Sequence, residues 1–81
     1  MRISEIEIIL KEELHRIAPD IDVNLIDREA DLREEFDIDS MDFLNLITAL
    51  SDRFRIEMPE ADYPNMMTYY AMIAYLDEHI D

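Results

Sequence analysis

Apolar residues recur at helical spacing in three stretches of the chain. Ile3, Ile6, Ile9, Leu10, Leu14 and Ile17 form the first, since positions three and four apart share one face of a helix. They predict a first helix over about residues 4–17, opened by Ser4 and Glu7 as a capping box. Lys11, His15 and Arg16 lie towards its C-terminal end, which suits the helix dipole, and Pro19 stops it. Phe43, Leu46, Ile47, Leu50 and Phe54 predict a second helix over about residues 40–53, with Met41, Asn45, Thr48 and Asp52 on its opposite, solvent face. Tyr69, Met72, Ile73, Leu76 and Ile80 predict a last helix, capped by Thr68 and ending near His79, with Tyr70 and Tyr75 off the stripe and partly exposed. Between these, Pro59 and Pro64 bracket Glu60-Ala61-Asp62-Tyr63, a single helical turn.

Residues 18–38 make a long connection, of a length that tends to be functional when it lies inside a compact domain. Its apolar residues Ile21, Val23, Ile26, Leu32, Phe36 and Ile38 predict that it packs over the helices. The expected architecture is all-α: one domain spanning residues 1–81, a small four-helix bundle of up-and-down type with a long loop between helices 1 and 2 and a short third helix. The absence of glycine agrees, because tight hairpin turns usually require it.

Charge narrows the partners. Seven basic residues stand against twenty-one acidic ones, a net charge of −14. Such a surface repels nucleic acid and anionic membranes and speeds encounter with basic protein surfaces. No apolar run approaches membrane length or resembles a signal peptide, so a soluble, cytoplasmic monomer without membrane insertion is expected. With no cysteine there is no thiol nucleophile, disulfide or thiolate metal site.

The chemistry concentrates in Asp37-Ile38-Asp39-Ser40-Met41-Asp42-Phe43-Leu44, where a polar segment turns into a helix. Asp39 is a good N-cap and Asp42 stands three positions on, placed to reach back to it. If Asp39 caps, Ser40 is the first helical residue, with its hydroxyl uncommitted where amides and dipole favour a phosphate. The plain alternative is that Ser40 is itself the cap. Met41, an apolar side chain on the solvent side beside it, suits an adaptable contact surface.

Other constellations are weaker. Asp20-x-Asp22-x-Asn24 matches the start of a calcium loop, but Leu25 replaces the turn glycine and Asp31 the bidentate glutamate. His15 and His79 are remote from Ser40 in sequence, and there is no Gly-x-Ser-x-Gly elbow. Tyr63, Tyr69, Tyr70 and Tyr75 lack the positive charge that a base-stacking platform needs. No catalytic residue and no metal site is expected.

The order of these features resembles an acyl carrier protein across nearly the whole chain: a helix, a long loop, Asp39-Ser40-Met41-Asp42 opening the next helix, Phe54, Ile56-Glu57-Met58-Pro59, a short segment, and Thr68 capping a last helix. The resemblance implies a carrier, not an enzyme, that holds acyl intermediates as thioesters on a 4′-phosphopantetheine arm. It implies attachment at Ser40, flanked by Asp39 and Met41, by a phosphopantetheinyl transferase using coenzyme A. It also implies recognition of acyl-transferring or synthase enzymes of fatty acid, lipid or polyketide-type biosynthesis, which would carry basic docking surfaces. The matching recognition positions are Asp39, Met41, Asp42, Asn45, Thr48 and Asp52. Asn45, Thr48 and Ser51 stand where common fatty-acid carriers place Glu, Met and Glu, and Asp37 replaces the usual glycine, which points to a dedicated pathway partner. Met58, Met66, Met67 and Met72 are candidates to line an acyl cavity or to fill the core. The competing expectation is an acidic adaptor that binds a protein partner and is never modified.

Overall fold

A computed structural model describes residues 1–80. Among the described residues, four α-helices and one 3₁₀ segment follow in order: α1 (Ile3–Ile17), α2 (Leu32–Glu35), α3 (Ser40–Phe54), the 3₁₀ segment (Glu60–Met66) and α4 (Tyr69–His79). The described residues contain no strand, only an isolated bridge between Asp31 and Thr68. The helical bundle expected from the pattern is therefore present, with one further short helix inside the long connection.

The apolar stripes form the core. Ile6, Leu10 and Leu14 of α1 lose all exposure against Leu46 and Leu50 of α3 and Met72 and Leu76 of α4, which are equally buried. All five residues assigned to the inner face of α3 are buried. Fully burying a side chain of that size contributes about 1.5–3 kcal/mol, so these rows decide how α1, α3 and α4 meet. Phe43 meets Tyr63 edge-on, with ring centroids 5.9 Å apart, and this ties the 3₁₀ segment to α3.

The helix ends differ in how far they follow the sequence pattern. Asp39 caps α3 and Thr68 caps α4 through its hydroxyl, which accepts the Ala71 amide at 3.0 Å, both as expected. Ser4 does not cap α1. The helix starts one residue earlier, and the Arg2 carbonyl accepts the Glu5 and Ile6 amides. Ser4 therefore lies inside the first turn.

The connection is not structureless. Asp31 caps α2 by accepting the Arg33 amide at 2.8 Å. Leu32 and Phe36, four apart, are buried, and Ile38 follows them into the core. The segment is also stitched to the start of α4: the Leu32 amide donates to the Met67 carbonyl at 2.8 Å and the Tyr70 amide to Arg28 at 3.2 Å. Asp37 turns the chain into α3 at φ 50°, a left-handed conformation that glycine takes without strain and that aspartate tolerates better than most residues.

Two further expectations change. The segment after Pro59 is seven residues long rather than one turn and runs through Pro64. Tyr75 is buried rather than partly exposed, because the 3₁₀ segment covers that side of α4 and Asp62 accepts its hydroxyl at 2.7 Å. Tyr70 is exposed, as expected.

Candidate functional site

The site is built around the first turn of α3. The Asp39 carboxylate accepts the Asp42 amide at 2.9 Å, which satisfies one of the free donors of that turn. Ser40 is thereby the first helical residue, and it is exposed. Its hydroxyl oxygen accepts a hydrogen bond from Arg33 Nη2 at 3.0 Å. The remaining amides of the turn and the positive end of the helix dipole lie at the same place, an arrangement suited to an anion.

Arg33 was not among the residues singled out by the sequence. α2 delivers it: Asp31 holds its amide, and its carbonyl accepts the Ile38 amide at 3.0 Å. The available signal was Asp31 ahead of Leu32 and Phe36, a capped pair at i and i+4 that marks one helical turn. Arg33 and Ser40 line a cleft of about 260 Å³ with Phe43, Leu44, Glu60, Tyr63 and Met67. The side chains of Phe43, Leu44, Tyr63 and Met67 give it mainly apolar walls.

The expected recognition residues divide. Met41, Asn45, Thr48 and Asp52 form one exposed face of α3, and Met41 is 65 % exposed. Leu44, also exposed, extends that face towards the cleft. The Thr48 hydroxyl donates back to the Leu44 carbonyl at 2.9 Å. Asp39 is exposed at the tip, whereas Asp42 is half-buried and lines a separate cleft with Ile17, Pro19 and Ile38 among others. Of the four methionines considered for a cavity, Met58, Met66 and Met72 are buried in the core, and Met67 alone of them lines the Ser40 cleft.

The residues set aside earlier have local roles. Asp22 accepts the Asn24 amide at 2.9 Å, a turn contact. Among the described residues, no group of three His, Cys, Asp or Glu side chains comes together as a metal-binding set. His15 is exposed on α1, while His79 stacks on Tyr75 at 4.0 Å and bonds its carbonyl through Nδ1 at 2.8 Å. The perturbed groups also lie away from Ser40. Burial, and then the bond to Asp62, pushes the Tyr75 hydroxyl up to about 12. Burial, and then the hydrogen bond that Tyr69 donates to Glu7 at 2.8 Å, raises Tyr69 as well.

A small acidic helical bundle that opens a central helix on an exposed, non-capping serine has the build of a carrier domain. Residues 4–76 match the family described as "Phosphopantetheine attachment site". The chain is 32 % identical over 57 residues to the acyl carrier protein of Campylobacter jejuni (strain RM1221), covering 70 % of this chain and 74 % of that one. It is 31 % identical over 61 residues to the acyl carrier protein of Phytoplasma mali (strain AT), covering 75 % and 73 %. With the acyl carrier protein of Lactobacillus johnsonii it shares 30 % identity over 59 residues, covering 73 % and 74 %. The chain belongs to the acyl carrier protein family. Its function is that of a phosphopantetheine-bearing carrier that interacts with synthase and transferase enzymes. No helix among the described residues is long and apolar enough to cross a membrane.

Proposed function

We propose that Ser40 is the attachment point of the 4′-phosphopantetheine arm, and that acyl groups held there are presented to partner enzymes across the Met41 face of α3. One observation carries this reading. Asp39, not Ser40, caps the helix, so the serine hydroxyl remains exposed at the helix mouth. The residues present fit the arm: an accessible oxygen, a guanidinium beside it and a cleft with apolar walls. When bound, the arm supplies the thiol that this cysteine-free chain lacks. In the loading step the Ser40 Oγ–P bond forms while the pyrophosphate bridge of coenzyme A breaks. The 3′,5′-ADP part departs, and the hydroxyl proton passes to a base of the transferase.

The exposed face of α3 favours a partner with a mixed docking surface. Met41 and Leu44 offer apolar contact, Asp39 and Asp52 offer negative charge to a basic rim, and Asn45 and Thr48 are neutral. A carrier that works in the cytoplasm with a dedicated set of enzymes accounts for that composition. Rates with a generic fatty-acid synthase should fall below those with enzymes encoded beside this protein, and equal or better rates with the generic synthase would remove the dedicated pathway from the proposal.

Attachment is tested by incubating the apo protein with coenzyme A and a broad-specificity transferase, then taking an intact mass. The expected result is one added phosphopantetheine, lost in Ser40→Ala. Retention of the addition in that variant would move the site elsewhere, and no addition to the parent protein would favour the unmodified adaptor.

A further inference from the structure

Arg33 meets Ser40 through only one of the two nitrogens on the facing edge of its guanidinium. A guanidinium is a planar fork, and Nε and Nη2 lie on the same edge of it. Nη2 donates to Ser40 Oγ at 3.0 Å. Nε, on that same edge, is shielded from solvent and has no hydrogen-bond partner. A buried N–H without an acceptor is rare in a folded protein and calls for an explanation.

Charge pairing sharpens the point. Arg28 and Arg53 both hold carboxylates, Arg28 through Glu7 at 3.2 Å and Arg53 through Glu12 and Glu13 at 3.1 and 2.9 Å. Arg33, like Arg2, Lys11 and Arg55, has no carboxylate oxygen within ion-pairing distance among the described residues, and of these four it is the one whose side chain meets the Ser40 hydroxyl. Glu60 lines the same cleft without pairing with it, and Asp31, Glu34 and Asp37 line the cleft on its other side, also unpaired with it. The bond between Asp31 and the Arg33 amide, and the burial of Leu32 and Phe36, hold α2 against the bundle and keep the guanidinium at the serine.

We propose that Arg33 is the seat of the phosphodiester at the root of the arm, its Nε–Nη2 edge taking phosphate oxygens once Ser40 is esterified. Planar, two-point recognition of phosphate is what an arginine edge provides and a lysine does not. In the unloaded protein the serine oxygen occupies one tine and protein atoms enclose the other, so loading requires the side chain to turn its Nε–Nη2 edge towards the phosphate. In the loaded protein Arg33 fixes the start of the arm beside the cleft lined by Phe43, Leu44, Tyr63 and Met67. The inference rests on Ser40 being the attachment point and adds a positioning residue to it.

The test uses the full-length ¹⁵N-labelled protein before and after loading with coenzyme A and a transferase, with intact mass recorded on the same samples. On loading, the Arg33 Nε–H resonance moves downfield and its exchange with water slows by about tenfold, the factor that corresponds to ~1.4 kcal/mol. The ³¹P resonance of the loaded parent differs from that of loaded Arg33→Gln, and Arg33→Lys, which keeps the charge and loses the fork, follows Arg33→Gln more nearly than the parent. A mass gain with an unmoved Nε–H and coincident ³¹P signals overturns the phosphate seat and leaves the attachment site standing. Failure of the parent protein to gain mass at all removes the attachment reading, and this inference with it. The Nε–H measurement is made on the parent chain and does not depend on any variant folding.

Discussion

The two ends of α3 use the same kinds of side chain for opposite purposes. At the C-terminal end Arg53 is paired with two carboxylates. Its two terminal nitrogens hold Glu13 at 2.9 Å and Glu12 at 3.1 Å, and Glu13 is only 2 % exposed. The Glu13 bond is the largest contribution raising the Arg53 pKa. Ser51 donates its hydroxyl to the Ile56 carbonyl at 2.6 Å, and the Arg55 amide returns to Ser51. At the N-terminal end an arginine faces a serine hydroxyl instead of a carboxylate, one donor is unfilled, and Ser40 and Met41 face solvent. A carrier has to hold its bundle together and still offer an attachment point. With the attachment at Ser40 proposed above, this helix divides those tasks between its ends: Arg53 closes onto α1 at one, and Ser40 stays exposed at the other.

The comparison is anchored by the core that both ends share. Leu46, fully buried between them, should cost about 2–5 kcal/mol of unfolding free energy when replaced by alanine. Urea unfolding measures this, and a loss well under ~1 kcal/mol would mean that the α3 seam is not what positions the ends.

The sharpest contrast comes from the same substitution at each end. Arg53→Met leaves the buried Glu13 carboxylate without its closer partner and should lower Tm clearly, because an uncompensated buried charge is strongly destabilising. Arg33→Met strands only a hydroxyl that can turn to water, so its Tm should stay close to the parent's. Similar Tm losses from the two would erase the distinction between a closed end and an open one.

Alkaline pH tests the closed packing around α4. Tyr75 is raised to about 12 by burial and by Asp62, and Tyr69 is raised by burial and by Glu7. Unfolded tyrosines ionise near 10, so above that value the unfolded chain holds fewer of these protons than the folded one. The stability they contribute is complete below about pH 10 and is lost as pH rises through their folded pKa values. Denaturant midpoints measured from about pH 9 to about pH 11 should fall, and Tyr75→Phe should make the fall shallower. An unchanged slope in that variant would mean that Tyr75 is not coupled to folding.

Smaller effects come from the backbone. Asp39→Ala removes the α3 cap and should cost about 1 kcal/mol while leaving Ser40 exposed. A cost near zero would suggest that Ser40 takes over as the cap. Arg55, at φ 57° and with its amide bonded to Ser51, closes the other end in a left-handed conformation. Arg55→Gly should stabilise by up to about 1 kcal/mol, and a loss of stability there would show that the arginine side chain contributes more than its backbone strain costs.

What the sequence made legible was local. The inner face of α3, its Asp39 cap and the Thr68 cap of α4 follow from spacing and from cap chemistry within a few residues, and they match the structure. What it hid was set by partners far along the chain. Tyr75 is off the α4 stripe, and its partner Asp62 in the 3₁₀ segment lies 13 residues earlier. The Ser4–Glu7 pair has the spacing of a capping box, but the Arg2 carbonyl starts the helix before it. Arg33 reads as one more charge in a polar loop until α2 forms, and a four-residue helix has too few positions to show a period.

One measurement bears most directly on the central claim that the open end of α3 carries the arm. Trypsin releases Glu34–Arg53 from the protein, a peptide that contains both Ser40 and Ser51. Tandem mass spectrometry of that peptide from protein loaded in its own cells should place the whole phosphopantetheine group on Ser40, with Ser51 bare. The group on Ser51, or a peptide that never bears it in cells with a competent transferase, would contradict the account.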